Sequence, residues 1–149
     1  MIHLFPEPKR LIDKDGLSRA FAKVCFPGAE PELVEIAKVR FWNYRDIEIL
    51  PGEEPAALPV VVERSLDGID ADRPELLKQQ GYALNIAENA VHIRYENRAG
   101  YINAITSVKM LIQSSADGFR LPLCEIADWP SLPVRAVAPT FSWYAGYGR

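Results

Sequence analysis

Gly81-Tyr-Ala-Leu-Asn-Ile86, Val91-His-Ile-Arg-Tyr95 and Tyr101-Ile-Asn-Ala-Ile-Thr-Ser-Val-Lys-Met-Leu-Ile112 are three consecutive runs whose periods decide how this chain folds. In the first, Tyr82, Leu84 and Ile86 alternate with small or polar residues, the pattern of a strand with one buried face. Val91, Ile93 and Tyr95 repeat it. A tight turn at Glu88-Asn89, with Asn89 in the left-handed conformation that asparagine tolerates, would set Ile86 opposite Val91, Leu84 opposite Ile93 and Tyr82 opposite Tyr95. Every large apolar side chain then falls on one face. In the third run the period becomes helical: Tyr101, Ile105, Val108 and Ile112 form a stripe flanked by Ala104 and Leu111. The expected unit is a hairpin with a helix folded back over its apolar side.

Upstream, shorter signals extend the same architecture. Ile2-His-Leu-Phe5 reads as a strand ended by Pro6 and Pro8, and Phe21, Val24 and Phe26 as a second strand within Ala20 to Phe26, stopped at Pro27-Gly28. Pro31 suits a first helical position. Glu30, Glu32 and Glu35 lie near that helix's positive end, Lys38 and Arg40 lie further along, and Leu33, Val34, Ala37 and Phe41 supply the apolar stripe. Ile47 to Leu50 reads as a strand. Leu58 to Glu63 reads as another, and its consecutive Val60, Val61 and Val62 suggest burial on both faces. An Asp- and Gly-rich loop, Asp67 to Asp72, leads to a helical turn from Pro74 to Gln79 that delivers the chain to Gly81. Together these predict an α+β fold: a mostly antiparallel sheet with two main helices packed on one face.

The chain has 149 residues, 48% hydrophobic and 25% charged, which suits one ordinary globular domain with a real core. A net charge of -3 leaves no surplus of Lys and Arg to neutralise phosphates, so nucleic acid is not an expected partner. The longest apolar stretch, around Ala56 to Val62, is too short to span a bilayer, and the first residues lack a signal-peptide layout. No membrane partner and a cytoplasmic location are expected. Cys25 and Cys124 show no metal-ligand spacing and read as buried free thiols.

Candidate chemistry is sparse. His92 falls on the opposite strand face from Val91 and Ile93, beside Asn85 and Arg94, the position of a polar residue on a solvated sheet face. Glu53-Glu54 and Asp70/Asp72 supply paired acids, as a glycosidase requires, but both pairs sit in turn-like segments where acids favour solvent. Nothing around Ser18, Ser65, Cys25 or Cys124 resembles an activated nucleophile. There is no H-E-x-x-H, and the two histidines, His3 and His92, lie far apart in sequence. No catalytic residue, cofactor or metal site is therefore expected.

The linear order of Tyr82-Ala-Leu-Asn-Ile86, a second strand, a turn at Gly100, a helix, Leu121-Pro122 and Ile126-Ala-Asp-Trp-Pro130 leading to Arg135 resembles one known family. It is similar to the accessory domain, sometimes called zincin-like, that precedes the catalytic barrel in family 20 glycoside hydrolases, the β-N-acetylhexosaminidases. The resemblance implies an accessory domain over residues 1–133. It makes residues 134–149 the linker end and first strand of a (β/α)8 barrel, which needs eight βα units and about 250 residues. It also implies that Arg135 matches the arginine that contacts hydroxyls of a bound N-acetylhexosamine, a role suited to a guanidinium's paired donors. Ala136 stands where the family usually has Gly and Thr140 where it usually has Asp.

In the resembling enzymes an adjacent Asp-Glu pair from a later barrel strand performs the chemistry, with the substrate's acetamido group as nucleophile. Neither acid is assignable here. The expected function is a non-catalytic domain supporting its own barrel, with an N-acetylhexosamine-containing glycan as the partner of the full-length protein. Two alternatives stand beside it: a stand-alone carbohydrate- or protein-binding module, or the comparable domain of another glycosidase of O-GlcNAcase or α-glucuronidase type. Trp143, Tyr144 and Tyr147 suit sugar stacking or packing between domains, and the segment from Val134 also suits self-association through the C-terminal tail.

Overall fold

A computed structural model describes residues 1–133 with the exception of Met1, His3, Phe5 and Trp42. The elements run β1 (Arg10–Leu17), β2 (Lys23–Phe26), α1 (Pro31–Arg40), β3 (Glu48–Pro51), β4 (Leu58–Glu63), α2 (Pro74–Gln80), β5 (Tyr82–Ile86), β6 (Val91–Tyr95) and α3 (Arg98–Leu111). A small hairpin, β7 (Gln113–Ser115) and β8 (Gly118–Arg120), then leads into β9 (Pro122–Asp128). Seven strands form one sheet in the order β1-β9-β5-β6-β4-β2-β3.

The α+β class is as expected, with a sheet that divides in two. From β1 to β6 every pairing is antiparallel, whereas β6-β4, β4-β2 and β2-β3 are parallel. The parallel half follows from α1: a helix between β2 and β3 carries the chain back to the starting end of the sheet, the crossover that parallel neighbours require.

The hairpin register is the one its alternation demands, Ile86 on Val91, Leu84 on Ile93 and Tyr82 on Tyr95. Its turn lies at Glu88-Asn89, closed by the Ala87 N–H on the Ala90 carbonyl at 2.9 Å. Asn89 does not take the left-handed conformation; among the described residues Asp15 is the only non-glycine with positive φ. The turn is tied from outside instead, the Glu88 carbonyl accepting the Arg19 backbone N–H at 2.8 Å.

The inward residues of β5, β6 and β9 meet α3 and α1 in one core containing Leu84, Ile93, Ile126, Ile105, Val108 and Val34. Tyr101 is fully buried, and its hydroxyl donates to the Leu33 carbonyl at 2.8 Å, tying α3 to α1. Burial pushes that phenol well above its ordinary pKa. Gly100, in the first turn of α3, packs directly on Gly81, where α2 ends and β5 begins. A Cβ at Gly100 would lie well inside contact distance of the Gly81 carbonyl oxygen.

Two further expectations, both about strands, need correction, and the second lies partly outside the described residues. Val61 is 37% exposed, so β4 is covered on one face only, because the helices of this fold lie on a single side. The first strand at the sheet edge is β1, not Ile2 to Phe5; the described Ile2 and Leu4 pack on the core outside any strand, while His3 and Phe5 lie outside the described residues. β1 had no alternating signal because an edge strand exposed on nearly all positions needs none. A bulge between Asp13 and Leu17, and Pro51 closing β3, blunt the two free edges.

Leu84→Ala and Ile105→Ala should each destabilise by roughly 2–5 kcal/mol, the usual cost of a large-to-small core change. Gly100→Ala should also destabilise, although alanine is better in a helix interior by about 1 kcal/mol. Urea denaturation measures all three; a stabilised Gly100→Ala variant would refute the close approach of α3 to Gly81.

Candidate functional site

The alternation that buries one sheet face presents the other. Arg10 and Ile12 of β1, Glu125 and Ala127 of β9, Ala83 and Asn85 of β5, His92 and Arg94 of β6, and Val61 and Glu63 of β4 share this second face, around a depression of about 520 Å³. Its charges are largely paired across strands: Lys14 with Glu125 at 2.5 Å, Arg94 with Glu63 at 3.9 Å and, further along, Lys23 with Glu48 at 2.8 Å. Lys14 also donates to the Asn85 side-chain oxygen at 3.3 Å. This is the chemistry of a solvated sheet surface whose ions compensate one another.

Over one end of this face runs the loop of residues 64–73, which we call the strap. Leu66 is buried against Leu77 and Trp129, with Ile69 and Ala71 of the strap and the small Ala83 and Ala127 of the sheet packed around them. Two arginines from the sheet hold the strap by its backbone. Arg94 Nη2 donates to the Asp67 carbonyl at 2.7 Å and Arg10 Nη2 to the Asp70 carbonyl at 2.5 Å. The Arg10 guanidinium also lies 5.9 Å from the centre of the Trp129 ring, within cation–π range. Trp129 is 5% exposed, and its indole Nε1–H donates to Asp72 Oδ1 at 2.7 Å. That hydrogen bond is the chief reason the Asp72 carboxyl is held below its ordinary value, with Lys9 and Arg73 nearby helping.

Past Trp129 the chain turns towards the helices. Lys9 N–H donates to Asp128 Oδ1 at 3.2 Å, and Gln80 Nε2 donates to the Pro133 carbonyl at 3.0 Å. A small hollow of about 170 Å³ lies there, between Tyr82, Asn103, Thr106 and Met110 on one side and Trp129 and Pro130 on the other. The Tyr82 hydroxyl is 2.6 Å from Ser107 Oγ, and burial pushes its pKa up to about 12.

The paired acids do not converge. Glu53 and Glu54 border a hollow with Arg19, Cys25 and Asn89, whereas Asp70 and Asp72 border one with Lys9, Arg10 and Trp129. Asp72 is a hydrogen-bond acceptor for Trp129, and the Asp70 backbone is what Arg10 holds. His92 is exposed on the open face beside Asn85, as its strand position implied. Ser18 is buried, accepting from the Leu121 N–H at 3.0 Å and donating to the Arg19 carbonyl at 3.0 Å; Ser65 accepts from the Asp67 N–H. Cys25 and Cys124 are buried free thiols, and burial raises the Cys124 pKa to about 11, the opposite of activation. Among the described residues no group of three or more His, Cys, Asp or Glu side chains is arranged to hold a metal ion. Arg135, Ala136, Thr140, Trp143, Tyr144 and Tyr147 lie outside the described residues.

A sheet with its helices on one side, an open face whose ions pair with each other and a pinned chain exit define an α+β module. Residues 1–129 match the model of the family described as glycosyl hydrolase family 20, domain 2, and the chain belongs to that family, whose domain 2 is an accessory domain. No functionally curated protein matches the chain.

Among solved structures it is similar to the β-N-acetylhexosaminidase from Bacteroides fragilis NCTC 9343, with a TM-score of 0.61 and 17% identity, over 86% of this chain and 25% of that one. It is similar to the GH20 exo β-N-acetylglucosaminidase from Vibrio harveyi, with a TM-score of 0.61 and 17% identity, over 86% of this chain and 19% of that one. It is also similar to CpGH84B, with a TM-score of 0.64 and 24% identity, over 92% of this chain and 24% of that one. These likenesses show a shared fold, and the chain spans a quarter or less of each of those structures.

Because the folded Asp72 pKa is depressed, its bond to Trp129 contributes stability above the unfolded pKa and loses it as pH falls through the folded value. The Trp129 indole N–H resonance should therefore titrate with a midpoint below the ordinary aspartate value of 3.8. A midpoint at or above 3.8 would show that the carboxylate does not accept this bond in solution.

Proposed function

We propose that this chain is the non-catalytic accessory domain of a β-N-acetylhexosaminidase-like hydrolase, and that its partner is a catalytic barrel belonging to the same protein. The observation that carries this is the match to family 20 domain 2 over residues 1–129, which runs up to the point where the chain leaves its own sheet. The exit geometry supports it and suggests the docking face. Pro133 is held beside α2 by Gln80, Pro130 borders a hollow with the half-exposed Met110 of α3, and Leu132 between them is 61% exposed. A barrel that follows would rest on this helical side, leaving the open sheet face to solvent.

On this reading residues 134–149 begin the barrel. Arg135 binds hydroxyls of a terminal N-acetylhexosamine, the substrate of the whole protein, and the catalytic acids come from the barrel itself. The module's contribution is mechanical: it supplies a rigid apolar platform against which the barrel's first strand is set.

Residues 1–149 alone should leave an aryl N-acetyl-β-glucosaminide intact, while the protein that carries the barrel should hydrolyse it. In that protein Arg135→Ala should lower kcat/KM by roughly tenfold or more, the scale of losing a charge-assisted hydrogen bond. Turnover by the purified 149-residue chain, or an Arg135→Ala enzyme as efficient as its parent, would refute the corresponding half of the proposal. Deleting residues 134–149 should leave the melting temperature of the remaining domain nearly unchanged; a deletion that unfolds it would favour the stand-alone module.

A further inference from the structure

We infer that Asp72 and Trp129 form a latch that sets the direction in which the chain leaves the sheet, with Asp72 a positioning residue that acts through the Trp129 indole. β9 ends at Asp128, and the next residue would be free to swing were its ring not fixed. It is fixed on three sides. Leu66 and Leu77 pack on it with Ala83 and Ala127 beneath, the Arg10 guanidinium lies over the ring, and Asp72 takes the one polar hydrogen. Packing limits where the ring can lie but is non-directional, whereas a hydrogen bond at 2.7 Å favours the one orientation that aims Nε1–H at Asp72.

The latch also joins two distant parts of the chain. Asp72 lies in the strap, which Arg10 and Arg94 clamp to β1 and β6, so the orientation of Trp129 is referred to the sheet itself. Immediately beyond, Gln80 holds the Pro133 carbonyl, and the two contacts bracket the five residues from Trp129 to Pro133. A chain gripped at both ends of so short a span has one course, towards the α2–α3 side. If a barrel follows, which rests on the reading above, this latch fixes its docking angle. Asp72 is itself exposed, so its role is separable from folding.

The test uses the chain as it stands, with spin labels on Val39→Cys and Leu132→Cys. These two sites are 67% and 61% exposed, while the native Cys25 and Cys124 are 1% and 0% exposed and escape labelling. The parent should give one narrow interlabel distance distribution. Asp72→Ala and Trp129→Phe, which keeps a ring but loses the donor, should broaden it about twofold or more, with the Asp72→Ala melting temperature within a few degrees of the parent. Asp72→Asn, which keeps an acceptor oxygen, should restore the narrow distribution. An unchanged distribution in Asp72→Ala, or one as broad in Asp72→Asn as in Asp72→Ala, would overturn the latch. Broadening accompanied by loss of the Asp72→Ala melting transition would also overturn it, by reducing the contact to ordinary fold stability. None of these outcomes depends on hydrolytic activity, so the latch and the barrel-supporting role stand or fall separately.

Discussion

Two glycines, Gly81 and Gly100, meet backbone to backbone, and the layered arrangement of this domain depends on that contact. A side chain at Gly100 would push the first turn of α3 away from the start of β5, and α3 would no longer lie flush on the hairpin that precedes it. The next residue, Tyr101, would then lose its reach to the Leu33 carbonyl, and with it a buried polar tie between α3 and α1. Interiors pack at crystal-like density, so a displacement of about an ångström at the helix start is felt along its whole buried stripe. Tyr101, Ala104, Ile105, Val108 and Leu111 all lie on that stripe.

What was legible in the sequence follows from the same geometry. Where an element is buried on one side only, hydrophobic periodicity reports its face, and the hairpin register, α1 and α3 are readable from it. Where an element is exposed on both sides or very short, nothing in the local pattern constrains it. β1 is an edge strand whose residues are nearly all exposed and whose partner β9 lies far along the chain, while β7 and β8, which pair with each other, have three residues each, too few to show a period. Val61 shows the opposite error: a run of valines suggests two covered faces, yet at 37% exposure this valine sits on the open face, where a branched side chain still packs against cross-strand neighbours on the pleated surface.

The site was less legible, and for a physical reason. The resemblance over Gly81 to Arg135 led to the family, but the contact that pins the exit joins Asp72 to Trp129 across 57 positions. No period or spacing encodes such a pair. The acids at 70 and 72 caught attention as possible catalysts because two carboxylates close in sequence suggest a glycosidase pair. The fold gives them other tasks: one side chain accepts from an indole and the other residue offers its carbonyl to Arg10. The loop that carries them had looked like a mere connection to α2, yet it covers the only buried apolar cluster, among the described residues, outside the main core.

The buried polar groups of this domain serve its own packing. Active sites hold functional groups poised and partly unpaired, at some expense of stability. Here the buried polar atoms are committed to one another: Tyr101 to Leu33, Tyr82 to Ser107, and Ser18 to Arg19 and Leu121. Among the described residues no buried side-chain nitrogen or oxygen lacks a partner. Burial drives Tyr82 and Cys124 away from, rather than towards, reactivity at neutral pH. Such mutual commitment makes the interior of the domain rigid. If a barrel follows, as proposed, this domain would act on it through the few residues that fix where the chain departs, so the packing around Trp129, rather than any carboxylate pair, is where a functional effect is to be sought.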